Sequence, residues 1–153
     1  MPTADSDDAR IDDLYGLPAG EFVAAREALA RELRSAGRKD AAAEVHSLRR
    51  PTLVPWSINQ VARTHADQVA DLVAAGTEVQ DAQRQAADGF DSDLRAASRR
   101  RRALLDQLTD AAAALTDNPS GQRAAIEATL DGASLEPELQ PALLGGRLSK
   151  ELP

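Results

Sequence analysis

Cysteine is absent from this 153-residue chain, which excludes disulfides, thiolate metal sites and cysteine nucleophiles. Aromatic rings are almost absent: one Trp, one Tyr and two Phe make up 3% of the residues. A core without rings must come from Leu, Val, Ile and Ala, and that predicts thin helices in close approach. Strands favour β-branched and aromatic side chains, which are scarce here, so the expected class is all-α. No apolar run approaches the ~18 residues needed to span a bilayer. The N-terminus, "MPTADSDDAR", is acidic and polar, the opposite of a signal peptide. The expectation is a soluble, cytoplasmic protein. Gly-x-Ser-x-Gly, a phosphate-cradling glycine loop and His-Glu-x-x-His are also missing, so the chain reads as a non-enzyme with no cofactor.

What is abundant is alanine, 31 of 153 residues, a strong helix former that buries little surface. The length suits one domain. Net charge is −7, from 18 basic and 25 acidic residues, which argues against a general phosphate binder. The charge is uneven: residues 41–102 hold nine Arg against eight Asp or Glu, whereas residues 103–153 hold three basic and eight acidic side chains.

Residues 1–9 lack an apolar period and read as disordered; residues 10–145 read as a single helical domain; residues 146–153 read as frayed. A short helical turn is expected around Ile11, Leu14 and Tyr15, ended by Gly16. Phe22, Ala25, Leu29, Leu33 and Ala36 recur at helical spacing, so a helix is expected over 19–36, closed by Gly37. Asp40 caps a helix over 41–49 in this reading, which Pro51 stops. Thr52 then serves as N-cap, and Pro55 is harmless in a first turn whose amides have no partner. Val54, Ile58, Val61, His65, Val69, Leu72, Gly76 and Val79 run at near-heptad spacing, predicting one long helix over 53–87 with a weak point at Gly76. "DGFDS" breaks it, with Asp91 or Ser92 capping the next helix, expected to about Asp117. Two long helices on a short loop pack antiparallel, so the expected architecture is a helical bundle around a hairpin spanning about 53–117. Short flanking helices follow, over 122–130 and from near Leu135, where Ser134 and Pro137 repeat the Thr52–Pro55 spacing and Pro141 kinks or ends the helix.

Three sets of residues could carry function. Trp56, Asn59, Gln60 and Arg63 share one side of a helix. They form either a small recognition surface around an aromatic anchor or a buried elbow. The elbow reading is favoured: Trp56 wedges diverging helices with its indole N–H on a carbonyl, and Asn59 or Gln60 bonds backbone at the Arg50–Thr52 joint. Arg99, Arg100, Arg101 and Arg102 succeed one another at about 100° per residue, so they cannot form one flat patch. One of them, Arg101, is expected near the apolar seam with its head snorkelling outward. They either form a phosphate-contacting collar with Arg49, Arg50 and Arg63 or pair with acids such as Asp71, Glu78 and Asp81; pairing is favoured. His46 and His65, with Glu44 or Asp71, would make a metal site only if the fold gathered them, and the simpler reading leaves both histidines structural.

These residues carry a resemblance. Leu14-Tyr15-x-Leu17-Pro18, Glu21-Phe22-x-x-Ala25-Arg26, Leu48-Arg49-Arg50-Pro51 and Trp56-x-x-Asn59-Gln60 resemble the opening of a family of actinobacterial helical proteins with no assigned activity. The likeness covers about a third of the chain strongly. Family members are commonly longer, with an alanine- and charge-rich coiled-coil tail, which implies a domain or short form here; Pro55 departs from the small residue usual in the family. The resemblance implies a bacterial cytoplasmic setting and no mechanism. The functional expectation is a non-enzymatic helical domain for protein interaction or self-association. The alternative is a nucleic-acid-associated protein using the arginine cluster, and no membrane partner is expected.

Overall fold

The computed structural model describes residues 4–91 and 93–153. Within them the chain is all-helical: α1 (Ala4–Tyr15), a 3₁₀ turn (Ala19–Glu21), α2 (Phe22–Ser35), α3 (Lys39–His46), α4 (Leu53–Thr64), α5 (Ala66–Ala87), α6 (Leu94–Ala113), α7 (Pro119–Leu135) and α8 (Gln140–Leu144). The all-helical class is what the composition predicts, and the packed bundle agrees with the expected architecture.

The apolar side chains divide between two clusters rather than filling one core. Leu14, Tyr15, Phe22, Leu29, Ala30, Leu33, Ala42 and Val45 close an N-terminal cluster of α1, α2 and α3. Its two rings meet edge-on, 5.3 Å between centroids. The second cluster takes Val54, Ile58 and Val61 from α4, Val69 and Leu72 from α5, and Leu105 and Leu108 from α6. Ile126 and Leu130 of α7, Leu143 of α8 and Leu148 of the tail complete it. Polar contacts from α4 to Leu17, Tyr15 and Asp12 join the two clusters.

The long helix expected over 53–87 is two helices. It breaks at His65, whose φ of −127° and ψ of 43° leave the helical region. Thr64 turns its hydroxyl onto the Gln60 carbonyl at 3.0 Å and onto His65 Nδ1 at 2.8 Å, the local bonding by which Thr weakens a helix. The hairpin proper is therefore α5 with α6, joined across residues 88–93. Gly76, expected as a weak point, is buried inside α5, and a Cβ there would stand 3.0 Å from Leu135 Cδ2. Its role is close approach of α7.

Other boundaries shift for local reasons. Asp40 lies in the first turn of α3 rather than before it. Asp93 caps α6 by accepting the Ala96 N–H; Asp91 does not, and the Ser92 expectation lies outside the described residues. Asn118 caps α7 three residues earlier than expected. Ser134 is buried in the last turn of α7 and opens nothing, and Pro141 sits in the first turn of α8, where it is tolerated.

Residues 4–9 and the C-terminal tail both make defined contacts. Residues 4–9, expected to be disordered, belong to α1; residues 1–3 lie outside the described residues. Asp7 is 7% exposed and accepts from Arg38 Nη1 at 2.7 Å, and Asp8 pairs with Arg147 at 2.9 Å. The tail over 146–153, expected to fray, buries Leu148 and ties Leu152 N–H to Thr129 Oγ1 at 3.0 Å.

Candidate interaction surfaces

The four residues on the α4 face are brought together, and they hold the two ends of the chain. Trp56 is half-buried, and its indole N–H donates to the Leu17 carbonyl at 2.9 Å. Gln60 Nε2 donates to the Tyr15 carbonyl at 2.9 Å, satisfying one of the free carbonyls at the end of α1. Arg63 grips Asp12 with both terminal nitrogens, each at 3.0 Å, and reaches the Gly146 carbonyl at 3.3 Å. Asn59 is fully buried. Its Nδ2 donates to the Leu148 carbonyl and its Oδ1 accepts the Leu148 N–H, both at 2.8 Å. Gly146 permits this approach: its φ is +68°, and a Cβ would stand 3.1 Å from both Arg63 Nε and the Asn59 carbonyl oxygen.

The expected bonding to the Arg50–Thr52 joint is therefore corrected. Asn59 and Gln60 reach residues distant in sequence, and the nearby Leu48 carbonyl is taken by Arg26 Nη1 at 2.9 Å. Thr52 occupies the N-cap position but makes no side-chain cap bond.

The arginine run fans out over different neighbours. Arg100 pairs with Glu78 on α5 at 2.7 Å. Arg101, whose side chain is 14% exposed, lies along the seam and reaches Asp131 at 2.7 Å and Ser134 Oγ at 2.9 Å on α7. Arg102 joins Glu127 at 2.8 Å and Asp106 at 3.1 Å. Donating to Glu78 raises the Arg100 pKa, and donating to Glu127 raises the Arg102 pKa. Of the acids expected to neutralise the run, Glu78 alone does so among the described residues; Asp81 pairs with Arg84, and the remaining partners are Asp106 of α6 itself and Glu127 and Asp131 of α7. Arg99, Arg49 and Arg50 are exposed and form no ion pair among the described residues. With Arg63 committed to Asp12, the arginines build no common collar.

No protein-family model, curated protein or solved structure matches this chain. The site must be read from geometry alone. His46 Nδ1 lies 3.0 Å from Glu27, and His65 sits apart at the α4–α5 break. Among the described residues no three His, Cys, Asp or Glu side chains gather as a metal would require, and no helix is long and apolar enough to cross a membrane.

One surface escaped the sequence reading. Residues 83–91 are exposed without interruption, and Phe90 in the turn between α5 and α6 is 69% exposed. The α7 helix ends against Gly76 and Arg101, and Val79 still shares a cavity with Glu127 and Asp131 of α7. Residues 83–87, the exposed end of α5, span about 6 Å at 1.5 Å per residue. Asp88, Asp91 and Asp93 surround the ring in sequence. Turn chemistry alone identifies "DGFDS" as a helix break. The available signal was one of two phenylalanines standing in an acidic loop with nothing apolar beside it.

Asp12 lies between two arginines, Arg63 at 3.0 Å and Arg147 at 3.1 Å. Hydrogen bonding from Arg63 holds the Asp12 carboxyl below the usual carboxylate range, against partial desolvation, with Arg147 Nε adding a bond at 3.1 Å. A carboxyl whose pKa is lower in the folded state stabilises it above the unfolded pKa of about 4, and this is lost as pH falls through the folded value. Asp12→Asn should thus be less stable than the parent at neutral pH, and the two should converge in acid. Urea midpoints measured from neutral pH down to the acid limit of folding check this. A constant difference across the range would mean that the Asp12 charge plays no part.

Proposed function

We propose that this chain is a non-enzymatic helical protein-interaction module whose binding element is the free end of the α5–α6 hairpin. The observation that carries the reading is Phe90, a large ring 69% exposed at the tip of the hairpin, where residues 83–91 are exposed throughout. Aromatic anchors of this kind dominate binding energy at protein interfaces. The α4 face and most of the arginine run serve the fold, which leaves the tip as the surface with an unused apolar anchor. The setting belongs to the same proposal: a cytoplasmic protein of the actinobacterial family that its signature resembles.

A photoreactive phenylalanine analogue at position 90 tests the reading directly. Irradiation in an extract of the native host should give a discrete protein adduct that the same analogue at exposed Ala114 does not give. No adduct above that control would remove the interaction reading. Nucleic acid is the alternative reading, supported by Arg49, Arg50 and Arg99, which form no ion pair among the described residues. It requires retardation of nucleic acid at low salt and steep loss as salt rises; the expected result is no retardation.

A further inference from the structure

Resting on the reading of the hairpin tip as a binding element, we infer that its partner is a second copy of this chain, docked at the α3–α4 elbow. Charge complementarity and exposed apolar surface carry the inference. Residues 85–94 contain Asp88, Asp91 and Asp93 and no basic residue, with Phe90 among them. The elbow is the reverse. Arg49 and Arg50 are exposed and without an ion pair among the described residues, and no acidic residue occurs from Val45 to Ala66. Leu53, in the first turn of α4, is 43% exposed beside them and offers an apolar seat for the ring.

The two surfaces cannot meet within one chain. The 22-residue α5 carries the tip about 33 Å from the break at His65, and the 12-residue α4 spans about 18 Å, so even a full fold-back leaves them apart. Two copies related by a two-fold axis place each tip on the other's elbow. Both contacts then form at once and the assembly closes as a dimer. Opposed charge selects this pairing over tip-to-tip or elbow-to-elbow contact, both of which set like charges together.

Light scattering on the purified full chain at micromolar concentrations and low salt should give the dimer mass, falling toward the monomer as salt is raised. Phe90→Ala should weaken association about tenfold or more. The pair Asp88→Lys with Asp91→Lys should be monomeric, as should the pair Arg49→Glu with Arg50→Glu. An equimolar mixture of the two charge-reversed chains should recover the dimer, because each altered tip then meets an altered elbow and each native tip a native elbow. All of these positions are exposed, and circular dichroism confirms that the variants fold. A monomer at every concentration and salt, or a dimer indifferent to these substitutions, overturns the inference. If the chain is monomeric but the probe at position 90 labels a different protein, the interaction reading survives and the second copy does not. If the probe labels nothing, both fall.

Discussion

Replacing Asn59 with alanine should destabilise the protein by about 3 kcal/mol and release its C-terminal tail. The side chain is fully buried and makes two bonds to one residue, donating to the Leu148 carbonyl and accepting its N–H, each at 2.8 Å. Truncation leaves a buried backbone donor and acceptor unpaired at once, and each such group costs roughly 1–3 kcal/mol. The loss propagates. Leu148 packs into the bundle cluster, and the neighbouring Arg147 joins the tail to Asp8 and Asp12 of α1. Asn59→Asp should be at least as harmful, since it keeps the acceptor, loses the donor and adds a buried charge. Chemical denaturation gives the energy, and amide exchange at Leu148 gives the location. If Asn59→Ala costs less than about 1 kcal/mol, or leaves that amide as protected as before, the side chain does not hold the tail.

The tail clasp also shows how far sequence reasoning reached. Helical periodicity placed Trp56, Asn59, Gln60 and Arg63 on one side of a helix, and they are on one side. Periodicity is silent on partners, and these partners are Leu17, Leu148, Tyr15 and Asp12, of which the nearest is 39 residues away. The approach of Arg101 to the seam was legible because four consecutive positions on a helix must bring one toward it, but its head does not snorkel outward: it turns onto Asp131 and buried Ser134 of α7. The acidic start of the chain was not legible. Asp7, Asp8 and Asp12 look like solvated polar sequence until Arg38, Arg147 and Arg63 arrive from three other segments. The break at His65 was hidden for a related reason: apolar spacing continues through it, while the Thr64 hydroxyl and the differing destinations of α4 and α5 bend the path. Phe90 was missed because a loop was judged by its turn residues rather than by the one side chain that did not suit it.

Trp56→Ala should uncouple the two halves of the molecule. The ring sits on α4, whose Val54 and Ile58 belong to the bundle cluster, and its N–H reaches Leu17, which packs against the N-terminal cluster. Full removal of a core Trp or Phe costs about 3–5 kcal/mol, and a half-buried indole belongs at the lower end of that range. Energy alone does not distinguish a wedge from ordinary packing, so the informative readout is cooperativity. With the indole present, α2 and α6 amides should share one opening free energy in native-state hydrogen exchange. With alanine, protection in α2 should fall while α6 keeps most of its own, because Leu105 and Leu108 stay packed among α4, α5 and α7. Trp56→Phe separates the two contributions: it keeps a ring at this position and loses the bond to Leu17, so it should cost about 1 kcal/mol and leave the halves coupled. Equal loss of protection in α2 and α6 would place Trp56 inside a single cooperative core and remove its role as the joint. The polar seam would then be insufficient to explain how the N-terminal helices are held, and Arg63 with Asp12 would become the next pair to test.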